Sequence, residues 1–89
     1  MTDGDRIWSD LRSARDLGRF LSHLRAERGW TQAGLAAHLG IPRRYLHELE
    51  NGKEILAYGR LFQLTALLGA RIRIEAPVDP TEEVDPWQV

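Results

Sequence analysis

The chain has 89 residues, no cysteine and a formal net charge of −1. That length holds one domain with a modest core, and the lack of cysteine excludes a disulfide framework, a thiol nucleophile and a cysteine-based zinc site. No apolar run approaches the roughly 20 residues that span a bilayer, and the opening MTDGDR is no signal sequence. No membrane partner and a cytoplasmic location are therefore expected.

The net charge averages two unlike parts. Positions 1–74 carry 12 basic and 8 acidic residues, whereas the acids from Glu75 onward (Glu75, Asp79, Glu82, Glu83, Asp85) have no Lys or Arg among them. A basic body with an acidic tail is compatible with a nucleic-acid partner.

Residues 1–12, MTDGDRIWSDLR, begin polar and carry Ile7, Trp8 and Leu11 as apolar points, which reads as a partly ordered N-terminal arm. Trp8 either packs on the domain or meets a partner. The domain proper is expected over 13–76. Ser13 followed by Asp16 is a capping-box-like start. Leu17, Phe20, Leu21 and Leu24 then mark one face of a helix to about Arg28. Gly29 ends it, and Trp30 is expected to fold back as an apolar lid.

Two short helical patterns follow with almost nothing between them, TQAGLAAHLGIPRRYLHELENG. Thr31 is a good N-cap, and Leu35, Ala36 and Leu39 share a stripe. Gly40 supplies a positive φ, Ile41 an apolar plug, and Pro42 suits the start of the next helix. Leu46 and Leu49 face inward, and Asn51-Gly52 stops the helix. Two short helices joined so tightly cross steeply, as a helix-turn-helix whose second helix can enter a DNA major groove. Its outward residues are Arg43, Arg44 and His47, with Tyr45 partly out. Arg donates two hydrogen bonds to guanine O6 and N7. Gln32 sits where a side-chain amide and a helix N-terminus jointly hold a phosphate.

The stretch WTQAGLAAHLGIPRRYLHELENGK resembles the phage-repressor, or Xre, type of helix-turn-helix through Thr31, Gln32, Leu35, Ala36, Leu39, Gly40, Ile41, Leu46, Leu49, Glu50 and Gly52. The resemblance implies a phosphate contact from Gln32 and base contacts from Arg43, Arg44 and Tyr45, with Glu48 further along. It also implies an ion pair between Arg25 and Glu50 that ties the first helix to the third. Two residues depart from the pattern. Gly34 stands where Glu is common, which removes the capping box and weakens the helix by up to about 1 kcal/mol. Glu48 puts an acid where a base contact is often made: it can accept from cytosine N4 or repel phosphate.

After Lys53, EILAYGRLFQLTALLG predicts a fourth helix with Leu61, Leu64, Leu67 and Leu68 inward and Phe62 to one side. ARIRIEAP then alternates, which predicts a strand over 71–76 ended by Pro77. No second strand pattern is evident, so the strand's backbone groups need a partner outside the chain or stay frayed. Pairing with a second copy through Arg71, Ile72, Arg73 and Ile74 would build a homodimer. Helices of repressor type followed by LLGARIRIE are similar to the HipB-type antitoxins, in which this strand pairs across the dimer.

Residues 77–89 have an acidic, proline-containing composition without period and read as a flexible tail. Trp87 stands out within it. The HipB-type resemblance implies that such a tail helps bind a toxin, a HipA-like serine/threonine kinase, with Trp87 as the anchor; the other reading is that Trp87 tethers the tail to its own domain.

Enzyme readings find little support. His23, His38 and His47 lack metal-ligand spacing, no glycine-rich phosphate loop follows a strand, and no catalytic triad is suggested. No catalytic residue, metal or cofactor is expected. The sequence thus predicts an all-α, repressor-type helix-turn-helix bundle of four to five helices with one C-terminal β-strand pairing across a homodimer. The dimer would bind double-stranded DNA at an inverted-repeat operator through Thr31, Gln32, Arg43, Arg44, Tyr45, His47 and Glu48. The resemblance implies an antitoxin that represses its own operon. Two alternatives are a stand-alone regulator without a toxin and a protein-interaction module that no longer binds DNA.

Overall fold

The structure, a computed structural model, describes residues 2–53 and 56–78. The elements in chain order are β1 (Thr2–Asp3), β2 (Arg6–Leu11), α1 (Ala14–Glu27), α2 (Gln32–Leu39), α3 (Arg43–Glu50), α4 (Leu56–Leu67) and β3 (Ile72–Pro77). The three strands form one antiparallel sheet in the order β1-β2-β3. Among the described residues the fold is thus mostly helical, with four helices, and the bundle reading holds.

The N-terminal segment departs from its reading as an arm. Gly4, at φ 61, turns the chain between Asp3 and Arg6, so residues 2–11 become a hairpin whose second strand runs the length of β3. The strand over 71–76 therefore has an in-chain partner, and its expected need for a second copy is corrected. Leu11 faces Ile72, Ser9 faces Ile74 and Ile7 faces Ala76 on one side. On the other side Asp10 lies opposite Arg73 and accepts from its Nε at 3.0 Å, while the Arg73 guanidinium stacks 4.1 Å from the Trp8 ring centroid. Such cross-strand and cation–π contacts stabilise a short ladder by a few tenths to about 1 kcal/mol each. Trp8 packs on its own sheet.

The core is small: Leu11, Ala14, Phe20, Ala36, Leu46, Phe62 and Ala76. Helix α1 starts as expected, with the Ser13 hydroxyl accepting from the Asp16 amide at 3.2 Å. It crosses α3 at Gly18, where an added Cβ would collide with the Leu49 carbonyl oxygen. At α1's far end the Arg28 guanidinium donates to the carbonyls of Pro77 and Val78, which fastens the helix to the end of β3.

Helix α4 is rotated from the expected orientation. Phe62 is its buried residue, whereas Leu61, Leu64, Leu67 and Leu68 are 47%, 54%, 85% and 73% exposed. Phe62 borders a cavity that Leu11 and Thr65 also line, and the leucine stripe lies about a quarter-turn or more away on the helix surface. No helix among the described residues is long and apolar enough to cross a membrane.

Candidate nucleic-acid interface

Thr31 caps α2 by accepting from the Gly34 amide at 2.9 Å. Gly40, at φ 68, sends the chain into the turn, and the Ile41 amide donates back to the Ala36 carbonyl at 3.0 Å. Pro42 is the N-cap of α3, so that helix begins without a side-chain cap. Leu46 and Glu50 are the buried residues of α3, and Arg43, Arg44, Tyr45 and His47 are exposed.

The inner side of the motif is locked by ions. Glu50 accepts from Arg25 Nε at 2.7 Å, from Arg25 Nη2 at 3.0 Å and from Gln32 Nε2 at 3.0 Å. Burial pushes the Glu50 carboxyl upward, but the hydrogen bonds from Arg25 and Gln32 outweigh it and hold the group below the usual carboxylate range. Arg25 Nη1 also donates to the Trp30 carbonyl at 2.7 Å. One guanidinium thus joins α1, the entry to α2 and the end of α3. Gln32 is bound to Glu50 through one N–H, and a primary amide has a second N–H to offer a phosphate.

On the outer side Glu48 accepts from Arg44 Nε and from Lys53 Nζ, both at 3.1 Å. Those two bonds, with Lys53 first, hold its carboxyl below the usual range. Glu48 is therefore an anchor for Arg44 and Lys53, a role the sequence reading did not consider. Among the described residues Arg43 has no ion-pair partner. The Asn51 side chain donates to the His47 carbonyl at 2.7 Å, and Trp30 packs on His38 with ring centroids 5.2 Å apart. Tyr45 is 53% exposed and lines a small cavity with Tyr58 of α4, whose hydroxyl it holds above the ordinary value.

The structure brings Thr31, Gln32, Arg43, Arg44, Tyr45, His47 and Glu48 onto the α2–α3 unit. Arg71, Ile72, Arg73 and Ile74 lie apart from it, at and just before β3, and Trp87 lies outside the described residues. Sequence reasoning missed Lys53 and Tyr58. The signal for Lys53 was its place one residue past the helix-stopping Asn51-Gly52; Tyr58 offered none.

A two-helix unit with its tight glycine turn, a basic outer face on the second helix and an ion pair behind it defines a helix-turn-helix of repressor type. The helix-turn-helix domain family matches residues 16–75, and the chain belongs to that family in its Xre-like form. It is also similar to an uncharacterized HTH-type transcriptional regulator, y4mF, of Sinorhizobium fredii. The two are 31% identical over 67 residues, which is 75% of this chain and 88% of that protein. No solved structure gives a significant match.

Proposed function

We propose that the protein is a sequence-specific DNA-binding transcriptional repressor that acts as a homodimer on an inverted-repeat operator. The observation that carries this is the outer face of α3. Arg43, Arg44 and Tyr45 project from its first turn, while the Arg25–Glu50–Gln32 cluster fixes the helix from behind. A rigid helix with exposed Arg at its start is what base reading in a major groove needs. Thr31 and Gln32 position the unit on phosphate, Arg43 and Arg44 read bases, and Tyr45, His47 and Glu48 line the same surface.

The dimer is supported by two features. The outer edge of β3 has no strand beside it among the described residues. Antiparallel pairing about Ile74 would set Arg73 opposite the second copy's Glu75, and the reverse, which favours that register. The exposed leucines of α4 form an apolar face of the kind that marks an interaction surface. Light scattering on the purified chain, with selection of bound sequences from a randomised DNA pool, tests the reading. A dimer mass and a two-fold symmetric consensus support it; a monomer that enriches no sequence contradicts it.

The finer reading is an antitoxin of HipB type that represses its own operon and neutralises a HipA-like serine/threonine kinase, with Trp87 as an anchor. It rests on the sequence resemblance and the acidic tail. A stand-alone regulator is the second reading, favoured by the likeness to an HTH-type regulator. A kinase-like gene beside this one, whose product co-purifies with the chain and not with Trp87→Ala, separates the two.

A further inference from the structure

A groove of about 900 Å³ runs between β2 and α1, away from the α2–α3 unit. Trp8, Ser9 and Asp10 form one wall and Arg19, Phe20 and His23 the other, with Val78 also on its lining. The Val78 amide donates to the Asp5 carbonyl at 2.7 Å. By the alternation of an antiparallel ladder, residues 5, 7, 9 and 11 turn their backbone groups to β3, and Trp8 and Asp10 turn theirs the other way. β1 covers only Arg6 and Ile7 of that edge. Among the described residues no strand pairs with Trp8 or Asp10 there, so the groove is bordered by an open sheet edge.

The groove's charges are unequal in availability. Asp10 is bound by Arg73, Asp16 accepts from the Arg12 amide at 2.9 Å, and Glu27 lies 3.6 Å from His23. The guanidinium groups of Arg12 and Arg19 are exposed and have no ion pair among the described residues. An open edge, an apolar wall at Phe20 and two available cations together suit an extended, acidic chain.

We propose that this groove seats the protein's own C-terminal segment, residues 79–89. The segment follows directly on Val78, a residue of the groove's own lining. It carries Asp79, Glu82, Glu83 and Asp85 with no basic residue, the complement of Arg12 and Arg19. Thr81–Asp85 is free of proline between Pro80 and Pro86, so it keeps the N–H groups that an added strand must donate. At about 3.3 Å per residue that stretch spans roughly 17 Å, enough to follow Trp8–Leu11. Trp87 is within about 30 Å of Val78 along the chain and so within reach of Phe20. A partner that captures Trp87 has to displace the segment, which couples partner binding to release of the groove. None of this depends on DNA recognition, so the two proposals fail separately.

The chain has no cysteine, so Gln88→Cys takes a single nitroxide label. Amide spectra of the full chain, compared before and after reduction of the label, read the contact. The expected result is strong broadening at Ser9, Arg19 and His23 with α2 unaffected. That broadening disappears in Arg12→Glu/Arg19→Glu, whose unlabelled spectrum reports that the fold is intact, and weakens at high salt. Broadening that is absent, spread evenly, or unchanged by the charge reversal overturns the proposal. So does groove perturbation by an added acidic peptide at full strength while the tail is present, since that makes the groove a partner site.

Discussion

Arg25 and Glu50 are 25 residues apart in sequence and meet through two hydrogen bonds of 2.7 and 3.0 Å, with side chains only 16% and 3% exposed. Two parallel N–H···O bonds fix both position and angle, which a Lys at the same place would not. The pair joins the first helix to the end of the helix that faces DNA, so its loss is a loss of fold and of recognition geometry together.

Arg25→Ala strands a buried carboxylate and is expected to destabilise the fold by about 3 kcal/mol, read as a lower denaturant midpoint with an unchanged slope. Gln32→Ala removes a single bond to the same carboxylate and is expected to cost about 1 kcal/mol. Equal midpoints for Arg25→Ala and wild type would show that the pair contributes nothing.

The same carboxylate sets a pH dependence. Its folded value lies below its unfolded value, so the stability it contributes is complete above the unfolded value and is lost as pH falls through the folded value. Unfolding curves between neutral pH and pH 3 are expected to show a falling midpoint in wild type and a shallower fall in Glu50→Gln. Parallel pH profiles for the two would contradict this.

Gly18 allows α1 and α3 to touch backbone to backbone. Gly18→Ala is expected to cost about 2 kcal/mol through displaced helices, despite alanine's better helix propensity. A thermal midpoint raised by the substitution would mean the crossing is looser than drawn.

The exposed leucines of α4 give a test of assembly. Leu64→Glu/Leu68→Glu is expected to keep the helical circular dichroism and yield a monomer, with operator affinity weaker by on the order of a hundredfold because the two recognition helices are no longer linked. A dimer mass in the variant would move the interface elsewhere.

The helix-turn-helix was legible because its signals are local: Thr31 as a cap, Gly40 as a turn and leucines at helical spacing all agree. The ion pair of Arg25 with Glu50 was reachable only through resemblance, since no local rule links residues so far apart. β2 was missed because Ser9 interrupts its apolar alternation and Ile7 and Leu11 are spaced as well for a helix as for a strand; the Gly4-Asp5 turn was the available signal. Missing it left β3 without its in-chain partner in the sequence reading. The rotation of α4 was hidden for another reason. A helix with apolar residues around much of its surface does not show which face turns inward, and it is Phe62 rather than the leucines that the fold buries.

Arg43 and Arg44 differ in how they are held, since Arg44 is bound to Glu48 and Arg43 has no ion pair among the described residues. Each is expected to contribute about 1–3 kcal/mol to operator binding, with relaxed sequence preference on loss of Arg43. The direct test is a fluorescence titration of DNA from the protein's own promoter region over a range of salt, for wild type and Arg43→Ala/Arg44→Ala. The account predicts tight, steeply salt-dependent binding that falls in the double variant to the level of random DNA. Binding by wild type no tighter than to random DNA, or equal binding by both proteins, would contradict it.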